Sequence, residues 1–180
     1  MTDITVIAIN CNQGDMIREA VESARAQTVR PTRIVVVDDG SDDPSSLAVL
    51  EELGKAPDVT VARQENAGPS AARNHGIRLA STPYVAVMDG DDRLLPDFLE
   101  RTSAMLDADG DVVAASGWLR TFGVLDAIVR PTGGGASAFG NGFEDWDFYL
   151  SLLESHGPDT RIAVIGKPLI EYRTASASAT

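Results

Sequence analysis

Four short apolar runs, rich in β-branched residues, alternate with longer amphipathic segments through the first two-thirds of the chain. The runs lie at 4–9, 34–37, 59–62 and 84–88. Continuous apolar stretches of this length read as strands buried on both faces. Three of the intervening segments carry a proline at their start, where a missing N–H costs a helix nothing: Pro44 (after Asp43), Pro69 and Pro96. These predict helices ending near residues 54, 80 and 107, and a further helix, capped by Asp15, runs to about Ala26. Strand–helix alternation at this spacing predicts an α/β domain, a three-layer α/β/α sandwich around a mostly parallel mixed sheet. Beyond Asp111 the pattern loosens. Strands are expected at 112–116, 124–129, 162–165 and 169–172, with a Gly/Ser/Ala-rich connection at 132–142 and a helix at 144–155. A single domain is expected over 1–173, followed by a flexible tail at 174–180.

Charge narrows the function classes. With 27 acidic against 15 basic side chains the net charge is −12, and such a surface excludes a general nucleic-acid binder, which needs a basic footprint. No apolar run approaches the ~20 residues of a membrane span, and no cationic stretch introduces a leader at the N-terminus. A cytoplasmic protein without a transmembrane segment is therefore expected. The single Cys11 excludes an internal disulfide and a cysteine-rich zinc site.

The acids divide into 18 Asp and nine Glu, and Asp favours turns, caps and metal sites over helix surfaces. Position is more telling than number. Asp38 and Asp39 close the second apolar run, and Asp89, Asp91 and Asp92 close the fourth. In open α/β sheets ligands bind outside the carboxyl ends of the strands. If these two strands are neighbours, the five carboxylates share one rim, where their mutual repulsion is relieved by a divalent cation with oxygen ligands. Asp42 and Asp43 instead suit a turn and a helix cap. A phospho-acceptor domain also gathers Asp at strand ends but needs a Lys after a later strand, and neither Lys55 nor Lys167 sits in such a place.

Read together, these segments resemble a family 2 glycosyltransferase with the nucleotide-diphospho-sugar transferase fold. The landmarks run in order: an Asn-containing loop after the first strand (Ile9-Asn10-Cys11-Asn12), a helix ending ARAQTVRP, then IVVVDDGSDD, NAGPSAARNHGI, the D-x-D element Asp89-Gly90-Asp91, and GFEDWDFYLSL. The resemblance implies an inverting, metal-dependent transfer of sugar from a nucleotide-diphosphate donor, UDP-linked in most of the family, to an acceptor hydroxyl on a saccharide, lipid-linked or protein partner. It implies that Asp91 holds Mn²⁺ or Mg²⁺ against the diphosphate, with Asp89 toward the ribose or the metal. Asp39 matches the position that hydrogen-bonds the nucleobase, and Asp38 supports the loop or the ribose. Asn10 joins the donor-binding set, and Arg73 faces the donor or orders the acidic rim. Asp145 matches the catalytic base that takes the proton of the acceptor hydroxyl. Trp146 lines an acceptor pocket or anchors a core.

Two departures qualify the resemblance. Cys11 stands where the family carries an aromatic beside the base. The stretch between the D-x-D and E-D elements is also shorter than usual, which leaves a donor part at 1–120 and a reduced acceptor part at 121–173. The alternative function is accordingly a domain that binds nucleotide or nucleotide-sugar with little or no transfer.

Overall fold

A computed structural model describes residues 3–130, 154–157 and 159–174. The first half is built from β1 (Ile4–Asn10), α1 (Asp15–Arg25), β2 (Arg33–Asp39), α2 (Pro44–Leu53), β3 (Val59–Gln64), α3 (Pro69–Leu79) and β4 (Tyr84–Asp89). These strands form a parallel sheet in the order β3-β2-β1-β4. The α/β class and the mostly parallel central sheet read from the sequence are both present.

Every residue of β1 is buried, as are all but the first of β2. Period-2 alternation sends their side chains to opposite faces. On one face Val6, Ala8, Ile34 and Val36 pack with α1, α2 and the later residues Phe98 and Leu99, and on the other Ile7, Ile9, Val35 and Val37 pack with Ala72 of α3. Each fully buried Val or Ile contributes roughly 1.5–3 kcal/mol relative to exposure, so the sheet cannot slip register without exposing a whole row. α1 buries Ile17, Ala20, Val21 and Ala24, the i, i+3, i+4, i+7 stripe of a helix lying on a sheet.

The helix starts show which local signals decide. Asp43 caps α2 as expected, accepting from the Ser46 amide at 2.8 Å. Asp15 does not cap α1. Gly14 takes that place, and its amide donates to Ser46 Oγ at 2.8 Å, while Asp15 lies in the first turn beside Arg18. Pro96 precedes α4 (Phe98–Ala108) by two residues, with Asp97 between them.

The second half forms its own sheet, which the sequence did not foretell. β5 (Arg93–Leu94), β6 (Val112–Gly123), β7 (Ile128–Val129) and β8 (Arg161–Thr174) are ordered β5-β8-β6-β7. β6 runs seven residues past the strand expected to end at Ser116. The two short strands expected at 162–165 and 169–172 are one continuous β8, parallel to β6 with register shifts around Gly117 and Trp118. Thr174, expected to begin a flexible tail, ends β8 and donates its hydroxyl to the Phe122 carbonyl at 2.8 Å. The helix expected at 144–155 lies largely outside the described residues; residues 154–156 are helical. Among the described residues no helix is long and apolar enough to cross a membrane.

Candidate functional site at the strand carboxyl ends

β1 lies between β2 and β4, with Asn10 opposite Asp38 and Ile9 opposite Asp89. The chain thus carries its two Asp groups to one end of the sheet, on either side of β1, where the strand order reverses direction. A cleft of about 410 Å³ opens there, lined by Asn10, Cys11, Gln13, Asp39, Arg73, Asp89 and Asp91 among others. Five of the residues expected at the site therefore meet in one concavity. Asp38 stands behind it, and Asp145, with Trp146, lies outside the described residues.

Asp38 is fully buried, and both of its oxygens are hydrogen-bonded. Its Oδ1 accepts from Asn10 Nδ2 at 2.9 Å and from the Ser41 hydroxyl, and its Oδ2 accepts from Arg63 Nε at 2.9 Å. A buried charge is tolerated only when paired and hydrogen-bonded, and here one carboxylate ties β1, β2 and β3 together. Asp39 is also buried. Its Oδ1 accepts from Gln64 Nε2 at 2.8 Å and the Ala67 amide at 2.9 Å, and its Oδ2 from the Gly68 amide at 2.8 Å. Those two amides belong to the loop that enters α3, so Asp39 fixes where that helix begins. Three accepted bonds leave one lone-pair direction of the carboxylate for a donor in the cleft. Because Gln64 gives its amide nitrogen to Asp39, its oxygen faces His75 at 2.8 Å, which assigns a proton to His75 Nδ1.

Two acceptors wait at the same place. Asn10 is 2% exposed, and its Nδ2 is spent on Asp38 and Ser41, which leaves its Oδ1 buried without a hydrogen-bond partner among the described residues. Gln13 Oε1 is in the same condition. Buried polar atoms are nearly always satisfied, so both point to donors supplied by a ligand or water.

At the end of β4, Asp89 Oδ1 accepts from Arg73 Nη2 at 2.9 Å. Gly90 has no room for a side chain: a Cβ there would stand 2.3 Å from Gln13 Oε1 and 2.5 Å from the Ile9 carbonyl oxygen. That close approach turns the chain so that Asp91 follows Asp89 into the cleft. Burial, and next the charge of Asp89, push the Asp91 carboxyl above its ordinary value. Asp92 is more deeply buried, and burial with the charges of Asp91 and Asp89 raises it to about 7. Acids held this way favour a bound proton or a bound cation over open ionisation.

Among the described residues no three His, Cys, Asp or Glu side chains gather to hold a metal by themselves. Asp89 and Asp91 nevertheless supply hard oxygen donors one residue apart, and burial with the charge of Asp89 holds the Asp91 carboxyl above its ordinary value. That set fits Mg²⁺ or Mn²⁺, which complete their shells with water and substrate phosphates. Sequence reasoning missed Gln13, Gln64 and Arg63. Gln64 and Arg63 act through amide and guanidinium contacts to aspartates 25 residues away, and Gln13 through a buried oxygen that only the folded chain reveals, so nothing local marks them.

The family described as glycosyl transferase family 2 matches residues 5–166. The chain is 39% identical over 110 residues to succinoglycan biosynthesis protein ExoU of Rhizobium meliloti (strain 1021), covering 61% of this chain and 31% of that protein. It is 38% identical over 110 residues to the uncharacterized glycosyltransferase YibD of Escherichia coli (strain K12), covering 61% of this chain and 32% of that one. Chondroitin synthase of Escherichia coli is 34% identical over 100 residues, 56% of this chain and 14% of the synthase. The chain spans about a third of the length of the first two relatives.

Proposed function

The chain belongs to glycosyl transferase family 2, and on that premise we propose that it moves a sugar from a nucleotide-diphosphate donor, UDP-linked, to an acceptor hydroxyl with inversion at the anomeric carbon. The observation that carries this reading is the single cleft in which Asn10, Asp39, Arg73, Asp89 and Asp91 converge. Its two acidic ends stand on either side of β1, as a ligand with a base at one end and a diphosphate at the other requires.

Asp39 accepts a base N–H with its remaining lone pair, and the buried Asn10 Oδ1 offers a second acceptor on the same side. Arg73 holds Asp89 in place while keeping cationic charge beside the diphosphate. Asp89 and Asp91 are the residues that hold Mn²⁺ or Mg²⁺. When bound, the divalent ion supplies positive charge against the diphosphate as its bond to the sugar breaks. The acceptor oxygen then attacks the anomeric carbon from the opposite face, its proton passes to the Asp145 carboxylate, and the electron pair of the broken C–O bond leaves on the diphosphate. A positioned base of this kind contributes about 10²–10⁴-fold.

Isothermal titration with UDP in the presence and absence of Mn²⁺, run beside an assay of UDP release from UDP-sugars with a panel of acceptors, tests the reading. Metal-dependent binding with release is the expected result. A ligand at 100 times its Kd adds about 2.7 kcal/mol of stability, so a thermal-shift panel will rank the nucleotides. Asp145→Asn is expected to keep donor binding and lose transfer. Binding without release across the panel would leave a donor-binding domain and overturn the transfer step.

A further inference from the structure

The cleft explains Asp89 and Asp91 from the side of β4, but the D-x-D loop is also gripped from the second sheet. Near the end of β8, the backbone amide of Arg173 donates to Asp92 Oδ1 at 2.9 Å, and its side-chain Nε donates to the Asp91 carbonyl at 2.9 Å. The same guanidinium donates through Nη2 to Glu19 Oε2 of α1 at 2.6 Å. Its planar face lies over Phe122 of β6, 4.5 Å from the ring centre. Arg93 approaches that ring at 4.3 Å and also pairs with Glu19. One carboxylate thus holds two guanidinium groups beside one aromatic ring, and Glu19 is kept well ionised by both, against the opposing effect of its own partial burial.

This arrangement is more specific than an ordinary surface ion pair. Nε and Nη2 of one planar fork serve two different acceptors, a backbone carbonyl and a carboxylate, a geometry that Lys cannot reproduce. Only the backbone of Asp91 is used, which leaves its carboxylate available to the cleft. Asp92, by contrast, accepts from the Arg173 amide with its carboxylate.

We propose that Arg173, held by Glu19 and Phe122, is a positioning residue that sets the orientation of the Asp91 carboxylate toward the divalent cation and diphosphate. The inference rests on the donor-binding reading given above. β8 therefore contributes to the donor site without touching the donor, and the second sheet is part of the acidic rim's support.

The test compares the parent chain with Arg173→Met and Arg173→Lys in Mn²⁺ titrations with UDP present, and in UDP titrations without metal. Removing the partners that orient a metal ligand costs about 10–100-fold in metal affinity. Arg173→Met is expected to lose Mn²⁺ affinity by about tenfold or more on that basis, with metal-free UDP binding unchanged. Arg173→Lys is expected to recover only part of the loss. Arg120→Ala, which removes an exposed pair with Asp126 on the same sheet, is the control for general loosening and leaves Mn²⁺ affinity as in the parent. Equal Mn²⁺ affinity for Arg173→Met and the parent overturns the inference alone, as does an equal loss in Arg120→Ala. Absence of Mn²⁺-dependent UDP binding in the parent overturns the donor reading and the inference with it.

Discussion

The two sheets of this molecule are held together by different physics. In the first, β1 and β2 are buried along nearly their whole length and covered by helices on both faces. In the second, β6 and β8 are mostly half-buried, and Val164 and Tyr172 of β8 and Ile128 of β7 stay about half exposed. The first sheet is fixed by burial, and its carboxyl ends carry the acidic rim. The second is fixed by strand pairing and a few charged latches, one of which reaches back to that rim. Precision at the cleft thus comes from a rigid sheet steadied by a looser one.

The largest expected effect falls on the rim. Asp91→Ala removes the carboxylate proposed to hold the cation, so turnover of a UDP-sugar should fall about a hundredfold or more, read as UDP release. Turnover at the parent rate would detach function from the D-x-D loop. Next come two glycines, one in a helix packed on the first sheet and one in the second sheet. A Cβ at Gly76 of α3 would stand 2.3 Å from Ile7 Cγ2, and one at Gly117 of β6 would stand 2.7 Å from Leu169 Cβ. Overpacking of this kind costs about 1–3 kcal/mol, so both Gly76→Ala and Gly117→Ala should lower the melting temperature. Only Gly76→Ala should also weaken UDP binding, because α3 carries Arg73 and the cleft wall; equal weakening by Gly117→Ala would erase the contrast between the sheets.

A smaller effect is expected at Cys11, which is exposed and lines the cleft. UDP with Mn²⁺ should slow its alkylation severalfold, measured by mass spectrometry, and an unchanged rate would place the nucleotide elsewhere. The smallest effect belongs to the join between the halves. Asp97, before α4, pairs with Lys167 of β8 at 2.5 Å, and Lys167 with Arg101 holds its carboxyl down at about 2. A lowered acid stabilises the fold above its unfolded value near 4, and that contribution fades as pH falls through about 2. Asp97→Asn should melt a few degrees lower at pH 6 and converge with the parent near pH 2, as followed by circular dichroism. Exposure of this pair keeps the effect small.

What the sequence made legible follows the same division. Strands buried on both faces must be apolar throughout, so the limits of β1 and β2 stand out in any reading of residues 4–9 and 34–37, and the half-buried run at 84–88 is marked by the aspartate that ends it. Asp43 before Pro44 was equally plain, since cap and proline act within one turn. The second sheet left weaker traces. Its strands are half-buried and shift register near Gly117, so β8 reads as two strands with Gly166, Lys167 and Pro168 between them. Arg173 lies 154 residues from Glu19 and 82 from Asp91, and no local pattern announces a contact at that distance. The unsatisfied oxygens of Asn10 and Gln13 become visible only when their other neighbours are placed.

The position of β1 between β2 and β4 has one more consequence. The two acidic ends of the cleft are separated by two steps of backbone pairing, about 10 Å in all. That interval is set by amide–carbonyl geometry and not by the choice of any side chain. The sheet is therefore a ruler: substitutions can change which groups are felt at either mark, but the distance between the marks is inherited from the peptide bond itself.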